Sequence, residues 1–267
     1  MKKFMALLLV AGMTLSLTAC GGSTDTAKTD LADGKDTFTV GFDQDFPPFG
    51  YVGDDGEFTG FDIEMATECA ARMGKKIVLQ PIDWDAKDME LEAGTIDCIW
   101  NGFTMNGRED QYTWTDPYMD NSQVVVVKKD SGINTLADLA GKVVEVQKES
   151  AAETALNDEE HADLTASFAQ LLSVGEYNTA FMDLESGAVD AVAIDIGVAQ
   201  FQIEGKEDQY QILDETISSE QYAVGFFLGN TALRDEVQST LSEMVEDGTF
   251  AEISNKYFGY DVCTLGK

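Results

Sequence analysis

Two side chains of opposite charge stand where the sequence could place chemistry. Arg108 is one of only three arginines (Arg72, Arg108, Arg234) and sits on a glycine-flanked loop, "NGFTMNGRED", directly after an apolar run. Its planar guanidinium fits a carboxylate with two parallel hydrogen bonds. Asp195 closes a second apolar run, "VDAVAI", and can accept from an ammonium group. A cation on one rim and an anion on the other recognise a zwitterion, the form of a free α-amino acid. The turn from Gly102 to Met105 can add backbone N–H groups, because glycine allows close approach. Phe46, stiffened by Pro47 and Pro48, and Trp84 supply aromatic walls. Each residue has a competing structural reading. Asp195 would serve as the N-cap of a following helix, Phe46 and Trp84 as core, and Arg108 as a surface partner of Glu109 or Asp110.

These residues need elements to position them. From Thr37 the pattern alternates strand and helix. "TFTVGF" reads as a strand and "YVGDDGEFTG" as a hairpin around Asp55-Gly56. In "FDIEMATECAARMG", Ile63, Ala66, Ala70 and Met73 share a helical face that stops at Gly74. Strands are predicted at "KIVLQ", 96–100, "QVVVVKK", "KVVEVQ", "VDAVAI" and "QYAVGFFLG". Helices are predicted at 85–93, 135–140, from about 150, and at 176–186, 196–204, 231–247 and 249–258. Such alternation implies α/β layers, with parallel sheets covered on both faces. Leu91-Glu92-Ala93-Gly94-Thr95-Ile96-Asp97 recurs as Leu184-Glu185-Ser186-Gly187-Ala188-Val189-Asp190, 93 residues later. The repeat suggests two similar lobes, against the alternative of a common helix stop recurring by chance. Strands ending at Asn101 and Asp195 then face one cleft, since ligands bind beyond the carboxyl ends of parallel strands.

The 267 residues, 44% apolar and 10% aromatic, describe a folded chain large enough for one large or two moderate domains. The formal charge is −32; without residues 1–19, which carry Lys2 and Lys3 and no acid, it is −34. That balance argues against nucleic acid and anionic membrane surfaces as partners. Phe4 to Ala19 is an apolar stretch behind a short basic head, too short for a membrane span of about 20 residues, with the layout of a secretory signal. It ends in Leu17-Thr18-Ala19-Cys20, which resembles the lipobox of bacterial lipoproteins, where the cysteine is lipidated and becomes the mature N-terminus. Residues 20–36 read as a flexible tether, so the protein is expected to be anchored by lipid, not spanning. Cys69, Cys98 and Cys263 show no metal spacing and read as small buried hydrophobes; His161 lies in an acidic segment without partners for a catalytic or metal role. No cofactor is called for.

The stretches "DQDFPPF", "GFDIEMA", "GTIDCIWNGFTMNGRED", "DPYM", "GKVVEVQ", "ESAAE" and "GAVDAVAID" occur in the order found in bacterial solute-binding proteins of the polar amino-acid family, the receptors of ABC importers. The resemblance covers essentially all of residues 37–260. It implies a two-lobe α/β fold of the periplasmic-binding-protein type II, each lobe a mostly parallel sheet flanked by helices, with two crossing strands as hinge. Lobe 1 is then 37–122 with 225–267, and lobe 2 is 123–224. It further implies Asp43 and Phe46 as first-loop acid and stacking aromatic, Trp84 as second aromatic, and Asn101, Gly102 and Thr104 as rim contacts. Arg108 is the implied carboxylate clamp, Gln147, Ser150 and Ala151 the second-lobe loop, and Asp195 the ammonium acceptor. The implied partners are a free amino acid and a transmembrane permease, with the receptor itself a monomer. Two departures stand out: the loop from Thr104 to Arg108 is one residue shorter than usual, and Glu149 occupies a position where glycine is common. The competing functions are a cleft enzyme of the same fold, resembling dehydratases of cyclic prearomatic acids, and a ligand-sensing receptor domain. No Gly-x-Ser-x-Gly, P-loop or nucleophile–base pattern supports the former.

Overall fold

The computed structural model describes residues 35–266; the signal-like stretch, Cys20 and most of the tether lie outside the described residues. The first sheet begins with β1 (Thr37–Phe42). A small hairpin sheet follows, made of β2 (Asp45–Phe46), β3 (Gly50–Val52) and β4 (Phe58–Thr59), as the Asp55-Gly56 signal predicts. Then come α1 (Phe61–Arg72), β5 (Lys76–Pro81), α2 (Lys87–Ala93), β6 (Cys98–Ile99) and β7 (Thr113–Trp114). The second half holds β8 (Met119–Lys128), β9 (Val143–Gln147), α3 (Ala151–Asn157), α4 (Ala162–Ser167), β10 (Gln170–Val174), α5 (Tyr177–Ser186), β11 (Ala191–Asp195), α6 (Ile196–Ile203), β12 (Tyr210–Ile212) and β13 (Ser218–Tyr222). The chain then returns through β14 (Gly225–Phe226) to α7 (Thr231–Glu246) and α8 (Thr249–Phe258).

One sheet has the order β5-β1-β6-β14-β7, the other β10-β9-β11-β8-β12, with β13 also on β8. Parallel pairing holds where helices connect the strands: β1 with β5 and β6, β9 with β10 and β11. The strands that carry the chain between lobes add antiparallel pairs instead, β8 with β11, β12 and β13, and β14 with β6 and β7. A strand arriving from the other lobe has no crossover helix on its own sheet to make it parallel. Both faces of the second sheet are covered. Val124 and Val126 of β8 pack in one core and Val125 and Val127 in another, all four buried. This period-2 split is why four consecutive valines suit a strand interior; each contributes about 1.5–3 kcal/mol on burial.

The repeated heptapeptide is one device built twice. Gly94 (φ 73°) ends α2 and Gly187 (φ 81°) ends α5, both in the left-handed region that glycine adopts without strain. Each ending pairs its amides in the same pattern: Gly94 N–H donates to Leu91 O and Thr95 N–H to Glu90 O, Gly187 N–H to Leu184 O and Ala188 N–H to Asp183 O. The aspartate that closes each repeat then clamps the neighbouring strand. Asp97 N–H donates to Thr39 O and its Oδ2 accepts from Thr39 N–H at 2.8 Å. Asp190 N–H donates to Val143 O, and its Oδ2 accepts from Val143 N–H at 2.9 Å. Chance recurrence of a helix stop does not account for the matched strand clamp. Cys69, Cys98 and Cys263 are buried, and burial pushes the Cys69 thiol up to about 12, so it stays protonated at neutral pH.

Candidate functional site

Between the two sheets lies a narrow cavity lined by Asp43, Phe46, Trp84, Asn101, Gly102, Thr104, Arg108, Gln147, Ser150, Ala151 and Asp195. The eleven residues singled out in the sequence are brought together here. They come from strand ends and the loops just beyond: after β1, before α2, after β6, at the end of β9 and start of α3, and at the end of β11.

Arg108 returns to the rim through a tight turn at Asn106-Gly107, closed by Arg108 N–H on Met105 O at 2.9 Å. The shortened loop therefore still delivers the guanidinium. Nη1 donates to Thr104 O and Nη2 to Glu149 O, each at 3.2 Å, so the side chain spans both rims. The guanidinium also lies 5.4 Å from the centre of the Phe103 ring. Thr104 pairs with Tyr222 as an antiparallel bridge in which Met105 N–H and Ala223 N–H make the hydrogen bonds. In that register the backbone groups of Thr104 itself point away from Tyr222, to the side where Arg108 Nη1 meets its carbonyl. A carboxylate there meets a guanidinium and an edge amide. The expectation for the rest of that turn is corrected: Gly102 N–H donates to Asp62 Oδ2 and Met105 N–H to Gln221 O, so both amides are already taken within the protein. Across the cleft, Glu149 takes φ 60° where glycine would be unstrained, its N–H held by Glu153 Oε2 at 2.6 Å. Ser150 caps α3 by accepting from Glu153 N–H, and Ala151, first residue of that helix, has an amide with no intrahelical acceptor.

Asp195 stands at the N-cap position of α6 but its side chain makes no capping bond. Its Oδ1 accepts instead from Asn121 Nδ2, Gln123 Nε2 and the Tyr222 hydroxyl. Burial and the neighbouring Glu220 raise its carboxyl to about 7. Asp43 accepts from its own loop, Asp45 N–H, at 2.8 Å, and from Gln147 Nε2 at 2.7 Å across the cleft; burial raises it to about 6. Phe46 packs beside Phe49 and Tyr177, and Trp84 meets Phe103 edge-on at 5.5 Å. Buried Lys87 sits 5.4 Å over the Trp84 ring and 3.9 Å from Glu149 Oε2; burial lowers its ammonium. Lys148 to Asp85 at 2.7 Å is a second ion pair across the cleft.

Sequence reasoning missed Asp62, Lys87, Asn121, Gln123 and Glu220. Asp62 is fully buried beneath the rim, holding Gly102 N–H and the Tyr118 hydroxyl. The available signal was its place in "GFDIEMA", an acid amid the apolar face of a helix. For Glu220 it was the alternation in "SSEQY", where Glu220 and Tyr222 are both buried.

Asp43, Asp62 and Asp195 stand at about 6, 7 and 7, burial being the first cause in each. Raised carboxyls are protonated in the fold while the unfolded chain's are ionised, so the native state holds more protons between about pH 4 and 7. The stability they contribute is present below that window and lost as pH rises through it. The unliganded protein is therefore expected to melt higher near pH 5 than near pH 8 in scanning calorimetry; a midpoint climbing over that range contradicts the assignment.

Two lobes joined by crossing strands, with a polar cleft at their strand ends, define the type II binding-protein fold. The chain belongs to the bacterial extracellular solute-binding proteins, family 3, whose family model matches residues 38–260. It is 31% identical over 261 residues to the L-cystine-binding protein TcyJ of Escherichia coli (strain K12), covering 97% of this chain and 94% of that one. It is 32% identical over 274 residues to the L-cystine-binding protein TcyA of Bacillus subtilis (strain 168), covering 98% and 99%. Among solved structures, the ABC uptake transporter substrate-binding protein from Streptococcus pneumoniae with bound histidine matches at a TM-score of 0.82 and 35% identity, covering 86% of this chain and 95% of that chain.

Proposed function

We propose that this protein is a lipid-anchored, extracytoplasmic, monomeric receptor that binds an α-amino acid in the cleft and hands it to the permease of an ABC importer. The observation that carries the reading is the charge arrangement of one cavity. Arg108, which donates to two backbone carbonyls, and Asp195, which has no cation within ion-pair distance among the described residues, line the same cavity. A zwitterion satisfies both. The naming of relatives for cystine and of a similar structure for histidine supports an amino acid as the ligand class.

Once the α-carboxylate and α-ammonium are placed, Asp43, Asn101, Gln147, Phe46 and Trp84 remain for the side chain. Asp43 spends hydrogen bonds on its loop and on Gln147, yet it is ionised above about pH 6 and repels an acidic side chain. Polar or cationic side chains are favoured. A thermal-shift screen of the proteinogenic amino acids and L-cystine tests this. Basic, amide or imidazole ligands are expected to give the largest shifts, aspartate and glutamate the smallest, and glutamate as best ligand overturns the selectivity. The bound amino acid is expected back unchanged after incubation.

Lobe 1 comprises 37–122 and 225–267 and lobe 2 residues 123–224 in this reading, closing about β8 and the β13–β14 passage. The Lys148–Asp85 and Lys87–Glu149 pairs would form as the rims meet. Cys20 is the proposed lipid attachment point. Cys20→Ser is expected to shift the protein from the membrane fraction to the soluble one with ligand affinity unchanged. Retention on membranes after a salt wash would sink the anchor.

A further inference from the structure

Asp195 is one half of a pair. Glu220 Oε1 accepts from Asn121 Nδ2 and Gln123 Nε2, each at 2.7 Å, and the same two nitrogens donate to Asp195 Oδ1 at 2.8 and 2.7 Å. Strand register explains the sharing. Asp195 of β11 lies opposite Gln123 of β8, and Glu220 of β13 lies opposite Asn121 of the same strand. Residues 121 and 123 are two apart, so all four side chains stand on one face of one sheet. Cleft opening therefore leaves the pair together; Thr104, whose hydroxyl donates to Glu220 Oε1 at 2.8 Å, reaches it from outside that sheet.

Among the described residues the groups beside the pair are hydroxyls and amides, and none is a cation. Tyr222 donates its hydroxyl to Asp195, Tyr177 of α5 lies near both acids, and Arg108 is held on Thr104 O and Glu149 O. Neither carboxylate has a Lys, Arg or His within ion-pair distance among the described residues. The amide oxygens Asn121 Oδ1 and Gln123 Oε1 are buried without a donor. All four are buried side chains: Asn121 is 5% exposed, Gln123 0%, Asp195 4% and Glu220 7%. Two carboxylates and two amide carbonyls make an acceptor-rich nest that lacks one positive charge.

We infer that Asp195 and Glu220 together hold one proton in the ligand-free protein and that the α-ammonium of the incoming amino acid displaces it, making Glu220 a positioning residue of the binding site and ligand capture a proton-releasing step. The inference rests on the reading of the cleft as an amino-acid site. Two like charges sharing donors at close range do not both ionise without a cation. The exchange balances: one carboxyl O–H bond breaks, the proton leaves to water, and an ammonium takes its place against two carboxylates. The upward shift of Asp195 by burial and by Glu220 agrees with this. Affinity then weakens as pH falls and the proton competes with the ammonium, by up to about tenfold per pH unit. Asp43 and Asp62 also titrate in this range, so the test turns on variants of the pair.

Infrared spectra of the full ligand-free chain near neutral pH read the protonated-carboxyl band directly. Asp195→Asn is expected to remove one carboxyl's worth of intensity and Glu220→Gln to reduce it, since losing the neighbouring charge removes part of what holds the proton on Asp195; a band unchanged in both variants overturns the shared proton. Calorimetric titration with L-arginine and with L-glutamine in buffers of different ionisation enthalpy reads the release. The wild type is expected to release about one proton more per ligand than Glu220→Gln, with Asp43 contributing equally to both. Equal release overturns the coupling. If neither amino acid nor any member of the thermal-shift panel binds, the receptor reading fails, and the infrared band still decides whether the pair holds a proton.

Discussion

Replacing Arg108 by alanine is expected to weaken binding of the preferred amino acid by about 2–5 kcal/mol, roughly 30- to 5,000-fold. The guanidinium is the basic group of the cavity lining, and in the closed arrangement its Nη atoms sit on Thr104 O and Glu149 O, one from each rim. Truncation strands the ligand carboxylate in a closed cleft without its cation. It also removes a contact that spans the rims, so part of the loss comes from a less stable closed state. Arg108→Lys keeps the charge but not the planar fork and is expected to fall between the two. Calorimetry with the best ligand of the thermal-shift screen measures all three, with melting curves to confirm folding. Undiminished binding by Arg108→Ala would show that the carboxylate sits elsewhere.

The largest effect on stability is expected at Gly60. Its φ of 133° and ψ of 164° lie in a region open essentially to glycine, and a Cβ there would come 2.2 Å from Phe49 O and 2.9 Å from Gly50 N. Those atoms are backbone and cannot swing aside. Phe49 O accepts from Asp62 N–H and Ile63 N–H, the opening amides of α1, so displacing it unseats the helix start. Gly60→Ala is expected to cost about 3–5 kcal/mol, the strained backbone and the overpacking adding together. In a chain of this size that lowers the melting temperature by on the order of 10 °C. Gly56 supplies the comparison: its φ of 83° is also left-handed, but a Cβ there meets nothing within 4 Å. Gly56→Ala is expected to cost only about 1 kcal/mol. Equal melting temperatures for the two variants would refute the argument from close approach. Because Asp62 follows Gly60 by two residues and holds Gly102 N–H, binding is expected to suffer along with stability in Gly60→Ala.

What could be read from the chain alone was local or strongly periodic. The helix face of α1, the glycine stops of α2 and α5, the valine run of β8 and the hairpin after β3 each declare themselves within a dozen residues, because capping and periodicity act over that range. The repeated heptapeptide pointed to two lobes for the same reason. Arg108 and Asp195 could be picked out because one lies on the glycine-flanked loop after an apolar run and the other directly ends a second run, where charge of opposite sign can meet a zwitterion. The tertiary structure decided what depends on strands distant in sequence meeting. β10 and β12, with only half-buried or mixed faces, and the polar β13 carry weak patterns of their own, and their neighbours in the sheet make them strands. Whether Gly102 N–H faced a ligand turned on α1 placing Asp62 beneath it, 40 positions earlier. That Asp195 belongs to a carboxylate pair turned on β8 standing between β11 and β13 in one register, which puts residues 121, 123, 195 and 220 on a single buried face. A polar group's local sequence states what it can donate or accept; only the packed fold states what is left for it to meet.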